Sequence, residues 1–132
     1  MDNHTNNPIE IKVNDNNIVN IAIIGDLLDD KIEKLTSSLY EATQIIRDIY
    51  SNTHKRVKVM IDLSNFNGKY TVKSFNAWVN FADNTKQYAE KSAVFGGSNI
   101  EKMAAEMVIT VAGRTDSIKI FRTKEEALVW LK

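Results

Sequence analysis

The sequence predicts an α/β domain with a mixed, mostly parallel five-stranded sheet and four helices, in the order ββαβαβαβα. Short β-branched segments alternate along the chain with longer segments whose apolar residues recur every three or four positions. Strands that alternate with helices through short loops are typical of parallel sheets joined by right-handed crossovers. A length of 132 residues and a hydrophobic fraction of 43% fit one compact core.

The composition excludes several classes of protein. The 17 basic residues balance the 17 acidic ones, so the chain has no general electrostatic attraction to nucleic acid. The absence of cysteine excludes disulfides, thiolate nucleophiles and cysteine-ligated metals, and it fits a reducing compartment. No apolar stretch approaches the ~20 residues that span a bilayer. We therefore expect a cytoplasmic protein without a transmembrane segment, and the bias toward Asn, Lys and Ile suggests a bacterial source.

The chain is expected to divide into a short tail and one domain. Residues 1 to 7 are rich in asparagine and have little to bury, which predicts a flexible N-terminal tail. Residues 8 to 132 contain neither an internal repeat nor an interdomain linker, so we assign them to a single domain.

The first half of the domain is predicted as two strands, a long helix and a buried strand. Apolar residues alternate over 9 to 13, and after the turn at 14 to 17 comes a β-branched run over 18 to 24, which together predict an antiparallel hairpin. Apolar residues at steps of three and four predict a helix over roughly 29 to 52. The apolar run at 57 to 63 predicts a strand covered on both faces.

The middle of the chain is predicted as a loop, a helix and a short strand. Residues 65 to 70 are polar and are expected to form a loop. Thr71 is a suitable N-cap for a helix over 71 to 88, whose apolar residues share one face. Residues 92 to 95 then form a short predicted strand.

Two interpretations compete for the following segment. Ser98 and Glu101 form a capping-box pattern, and Gly113 is suited to close a helix that starts there. Residues 108 to 111 are β-branched and could instead form a strand, but the unbroken helical period favours the helix.

The chain ends in a strand and a helix. Apolar residues over 118 to 121 predict the last strand, and Thr123 with Glu126 predicts the start of the last helix.

Aromatic residues are concentrated on the predicted helix 71 to 88. Phe75, Trp78, Phe81 and Tyr88 exceed what one face packed on a sheet requires. They either form an aromatic layer of the core or create a binding site, which would be a lipid-like pocket, a dimer interface or a membrane-facing patch. We take Phe75, Trp78 and Phe81 as candidate ligand- or partner-binding residues.

A second candidate site lies at the carboxyl ends of the predicted parallel strands, where α/β sheets usually bind ligands. Gly96, Gly97 and Ser98 lead from a strand into a helix and could hold an anion, although a turn and an N-cap explain the same residues. Asp26 and Asp62 end two other strands, where a carboxylate more commonly accepts backbone hydrogen bonds. Neither histidine is placed to complete a catalytic or metal site, so we expect no enzyme, no cofactor and no metal.

The order of elements and two segments resemble the STAS domains, specifically the SpoIIAA-like (STAS/SEC14) branch, over residues 8 to 132. The first segment is the strand ending in Asp62-Leu63-Ser64, and the second is the terminal strand followed by Ala127-Leu128-Val129-Trp130-Leu131. This resemblance implies the SpoIIAA-like fold. It also implies a regulatory protein that binds partner proteins, nucleotides or apolar small molecules and catalyses no reaction.

The resemblance also bears on phosphorylation. Anti-sigma factor antagonists of the wider family carry a phosphorylated serine at a helix start after this strand, and Thr71 occupies the matching position here. Tyr70 and Lys73 replace the neighbouring Asp and Gly of that motif. We therefore expect Thr71 to stay unmodified.

Our leading hypothesis is a non-enzymatic STAS-like module that contacts a protein partner or binds a small apolar ligand against helix 71 to 88. The alternative is a small nucleotide- or anion-binding protein, or an enzyme, that uses Gly96 to Ser98, Asp26 and Asp62. Homodimerisation is also expected, because a neutral chain has little charge repulsion between copies.

Overall fold

The sheet contains all five predicted strands, in the spatial order β1-β2-β3-β4-β5. The computed structural model describes residues 7–132. Strands β1 and β2 pair antiparallel, and all later neighbours pair parallel. The elements are β1 (Ile9–Val13), β2 (Val19–Leu27), α1 (Ile32–Thr53), β3 (Val57–Tyr70), α2 (Val72–Asn84), β4 (Ala89–Phe95), α3 (Asn99–Val111), β5 (Ile118–Phe121) and α4 (Lys124–Leu131). The predicted fold class and element order are confirmed.

The predicted flexible tail falls almost wholly on residues 1 to 6, which lie outside the described residues. The side-chain oxygen of Asn7 accepts hydrogen bonds from the Ile9 backbone N–H at 3.1 Å and from the Ser38 hydroxyl at 3.2 Å. Residue 7 is therefore tied to the first strand and to α1.

The sheet separates two apolar clusters of different size. The larger cluster joins the sheet to α1, α2 and α3, and the α1 residues that enter it recur at helical steps: Leu35, Leu39, Ala42 and Ile46. The smaller cluster joins Met60, Ala93 and Phe95 of the sheet to α4. Neighbouring strand residues therefore point to opposite clusters, as the pleat of a sheet covered on both faces requires.

The predicted loop over residues 65 to 70 is wrong, because β3 continues to Tyr70. This extension pairs with an extended β2, with Ile24 opposite Asn65 and Leu27 opposite Tyr70, and the register shifts twice along the way. Phe66 is buried and anchors the extension in the core. The polar residues around Phe66 obscured the strand pattern in the sequence.

Two predicted helix boundaries also shift. The long helix starts at Ile32, because Asp29–Lys31 form a turn of 3₁₀ helix before it. Helix α2 ends at Asn84 and not at 88: Thr85 is buried, and both its N–H and its hydroxyl donate to the carbonyl of Phe81. The next strand starts at Ala89, three residues earlier than predicted.

Residues 108 to 111 belong to a helix, so the alternative strand interpretation is wrong. Gly113 ends this helix with φ +69, which glycine adopts without a steric penalty. Its N–H donates to the Thr110 carbonyl, and the Arg114 N–H donates to the Ile109 carbonyl. These bonds satisfy the last carbonyls of α3, as in other glycine-terminated helices.

Candidate functional site

An apolar cavity of ≈ 90 Å³ lies between the sheet, α2 and α3. Helix α3 presents mainly small side chains to it, and Ile109 is the one α3 residue that is fully buried. Because alanines cannot fill the space above the sheet, a gap remains between the two helices. The α2 and α3 residues that line it include Phe75, Trp78, Phe81, Ala104, Ala105 and Val108.

The three predicted aromatic residues of α2 all line this cavity. Trp78 and Phe81 meet edge to face, with ring centroids 5.7 Å apart and an angle of 87° between the ring planes. Only 8% of Trp78 and 6% of Phe81 is exposed, so these two rings form no outer dimerisation or membrane-facing patch. Phe75 is half-buried and brings the aromatic lining toward solvent.

Two hydroxyl groups in the lining donate to backbone carbonyls. The Ser74 hydroxyl donates to the Thr71 carbonyl at 3.0 Å, and the Thr85 hydroxyl donates to the Phe81 carbonyl at 2.8 Å. These donors are therefore already used by the backbone of α2. The cavity has the character of a small-molecule pocket, which is mostly apolar with a few polar groups.

Arg114 is a lining residue that the sequence analysis missed. It is only 3% exposed, although arginine is almost never fully buried without a partner. Its Nε donates to the Ser117 hydroxyl at 2.9 Å, and its Nη1 donates to the Ala82 carbonyl at the end of α2. Burial lowers the pKa of Arg114 from its ordinary value, but an arginine remains charged at neutral pH.

Two buried donors that belong to the cavity lining have no hydrogen-bond partner within residues 7–132. They are Nη2 of Arg114 and Nε1 of Trp78. Leaving such a group unsatisfied costs free energy comparable to a lost hydrogen bond, and more for a charged group. At these two points the lining therefore offers a buried hydrogen-bond donor without a matching acceptor.

The carboxylates of the alternative site interact with nearby backbone and lysine groups. Asp26 accepts a hydrogen bond from the Leu28 N–H at 3.1 Å and lies 3.1 Å from the Lys31 ammonium. The Leu28 hydrogen bond, helped by Lys31, lowers the pKa of Asp26 below its ordinary value. Asp62 accepts from the Ser64 N–H at 2.8 Å. Both carboxylates therefore stabilise the local backbone. Asp62 lies within β3, where the register with β2 shifts, and not at a strand end as predicted.

The Gly96-Gly97-Ser98 segment packs against its own surroundings. A Cβ at Gly97 would lie 3.0 Å from the Leu63 Cβ, so the backbone is close to the neighbouring strand. The Ser98 N–H donates to the Glu101 carboxylate at 2.6 Å. A negatively charged side chain thus already occupies a donor that an anion would need. No group of three or more His, Cys, Asp or Glu side chains within 7–132 is arranged to hold a metal ion.

Thr71 occupies the N-cap of α2. Its hydroxyl accepts from the Ser74 N–H at 3.3 Å and donates to the Asp29 carboxylate at 2.6 Å. A phosphate on Thr71 would lie against Asp29, where like charges repel. This contact supports the expectation that Thr71 stays unmodified.

Helix α3 carries an apolar stripe on its solvent-exposed face. The stripe consists of Ile100, Met103, Met107 and Val111, which are 54% to 70% exposed. The helical period in the sequence marked these residues without showing which of them pack inside. No helix within residues 7–132 has the length and apolar character to cross a membrane.

The mixed sheet with one antiparallel edge pair, the four helices and the cavity between the sheet, α2 and α3 place the protein in the α/β class. The SpoIIAA-like family model matches residues 18–132. The chain belongs to the SpoIIAA-like family, and the resemblance noted in the sequence is confirmed. No curated protein matches the sequence significantly.

Solved structures show the same fold at low sequence identity. An uncharacterised protein from Shewanella loihica PV-4 with a SpoIIAA-like fold has a TM-score of 0.62 and 14% identity, over 94% of this chain and 92% of that one. The anti-sigma factor antagonist SpoIIAA in its unphosphorylated form has a TM-score of 0.60 and 11% identity, over 93% of this chain and 96% of that one. The phosphorylated form of the Bacillus cell fate determinant SpoIIAA has a TM-score of 0.60 and 12% identity, over 94% of this chain and 99% of that one.

Proposed function

We propose that this chain is a non-enzymatic regulatory module of the bacterial cytoplasm that binds a small apolar ligand in the cavity between α2, α3 and the sheet. The observation that carries this proposal is the ≈ 90 Å³ apolar cavity, which is lined by the predicted aromatic residues. A regulatory role is supported by the fold shared with an anti-sigma factor antagonist. Asp26 and Asp62 of the alternative site already accept hydrogen bonds from nearby backbone N–H groups, which favours the cavity over that site.

The cavity should respond to apolar compounds in a thermal-shift assay. A ligand at 100 times its dissociation constant is expected to stabilise the fold by about 2.7 kcal/mol, which raises Tm by several degrees. The panel would pair eight-carbon chains with nucleotides and inorganic phosphate, which test the strand-end alternative. A rise in Tm with nucleotides alone would indicate binding at the Gly96–Ser98 segment instead of the cavity. No rise with any compound would reject both sites.

A second candidate function is self-association through the α3 stripe. A second copy of the chain is the expected partner, because the four exposed residues form one continuous helical face and the formal net charge is +0. Burying these side chains against a copy would remove the largest exposed apolar residues of the helix from water.

Charge introduced into the stripe should abolish the dimer. We expect wild-type protein to sediment as a dimer at micromolar concentration and Met107→Glu to sediment as a monomer, since a buried unpaired carboxylate is costly. Val129→Glu is the matched control, because Val129 is 67% exposed on α4, away from the stripe. A wild-type monomer, or equal loss of the dimer in both variants, would contradict this function.

A further inference from the structure

The cavity lining includes two charged residues, one at each end. Arg114 follows the last turn of α3, whereas Glu101 lies in its first turn, and both line the cavity. A helix of 13 residues is about 20 Å long, so these two charged residues mark opposite ends of a narrow space. The Arg114 end is closed by buried residues, among them Ile118 and Ala82. At the other end, a Cβ added to Gly68 would lie 2.8 Å from the Glu101 carboxylate, and Tyr70, two residues later and also in the lining, is 39% exposed.

Arg114 carries a buried charge without a counter-ion. No carboxylate within residues 7–132 forms an ion pair with it. Arg56 repels the guanidinium, and Asp83 attracts it less strongly, so the attraction of Asp83 does not offset the buried charge. A desolvated charge of this kind is costly unless an opposite charge with hydrogen bonds offsets it.

From these observations we infer that the ligand is a slim monocarboxylate, whose carboxylate binds Arg114 Nη2 and Trp78 Nε1 at the closed end. This inference rests on the proposed function and specifies the ligand class. Nη2 is the charged donor that the bonds of Nε and Nη1 leave free, and the Trp78 N–H has no acceptor within residues 7–132. The alkyl chain then lies along Phe81 and Phe75 toward the Glu101 end.

The dimensions of the cavity favour a carboxylate over a larger head group. A volume of ≈ 90 Å³ is smaller than the roughly 150 Å³ that holds benzene in an engineered cavity. A flexible chain that extends toward solvent at Tyr70 fits such a space, whereas a ring system or a branched lipid head group does not. The Glu101 carboxylate at the open end repels a second anion there, which orients the ligand with its acid group inward.

The test compares octanoate with octan-1-ol, which share one chain and differ in charge. Binding is measured by the fluorescence of Trp78 in a Trp130→Phe background and by calorimetry. We expect octanoate to bind about tenfold or more tightly than octan-1-ol, because hydrogen bonds to charged groups are the strong ones. In Arg114→Gln this preference should disappear through loss of octanoate affinity alone.

The control variant removes the same charge from the surface. Arg122→Gln alters a side chain that is 83% exposed, and it should keep the octanoate preference. Trp78→Phe should weaken octanoate severalfold and leave octan-1-ol nearly unchanged, because it removes the N–H and keeps an aromatic ring.

The outcomes separate this inference from the proposed function. Equal affinity of the two compounds for the wild-type protein would reject the carboxylate and leave the apolar cavity standing, whereas no binding of either would reject both. Tighter binding of octyl phosphate than of octanoate would reject the carboxylate and indicate a ligand with a phosphate head group. If Arg114→Gln does not fold, octylamine binding to the wild-type protein provides the test. Octylamine should bind more weakly than octanoate and octan-1-ol, and binding equal to that of octanoate would overturn the inference.

Discussion

Replacing Trp78 with alanine is expected to lower the free energy of unfolding by about 3 to 5 kcal/mol, the usual cost of truncating a buried aromatic side chain. Trp78 is 8% exposed and packs edge to face on Phe81. Its removal would also join the indole volume to a cavity that is already present, and a packed interior relaxes only partly around such a void. Urea denaturation monitored by far-UV circular dichroism measures the change.

Two further variants show whether the loss comes from the ring. Val72→Ala, at a residue that is 76% exposed on the same helix, should change stability by no more than about 0.5 kcal/mol. Trp78→Phe should cost far less than Trp78→Ala, because it keeps most of the ring and removes a buried N–H without a partner. A loss below about 1 kcal/mol in Trp78→Ala would mean that the indole is not part of the packed core.

Local periodicity was enough to predict the order of elements, and tertiary pairing decided their lengths. The apolar steps of α1 are visible in the sequence because its buried face, from Leu35 to Ile46, repeats over many turns. The extension of β3 to Tyr70 has no such signal. It depends on pairing with Leu27 and on one buried side chain, Phe66, among polar neighbours.

Only the wall of the candidate site that α2 forms could be predicted from the sequence. Phe75, Trp78 and Phe81 share a helix, so their spacing places them together. Arg114 reads as a turn residue after Gly113, and its burial depends on the Ala82 carbonyl, 32 positions away in sequence. The α3 alanines are unremarkable in sequence, because a missing side-chain volume becomes a cavity only when the opposite wall is known.

Replacing Gly96 with alanine is expected to destabilise the fold by about 3 kcal/mol or more. Gly96 has φ +80, where a side chain costs about 1 to 2 kcal/mol. An added Cβ would also collide with the Ser64 hydroxyl and lie 3.0 Å from the Ser64 nitrogen. The Ser64 hydroxyl would have to move, and the close contact with the Ser64 nitrogen and the Asp62 carboxylate would strain the hydrogen bond between them. Chemical denaturation gives the difference from wild type.

Gly113 supplies a matched control, because it has φ +69 and nothing lies within 4 Å of the Cβ that alanine would add. Gly113→Ala should therefore cost only the conformational penalty of about 1 to 2 kcal/mol. The double variant Ser64→Gly with Gly96→Ala should recover part of the loss, since it removes the hydroxyl and retains the backbone contact. If Gly96→Ala were no worse than Gly113→Ala, packing against Ser64 would not explain the glycine, and the anion-binding interpretation of Gly96 would gain support.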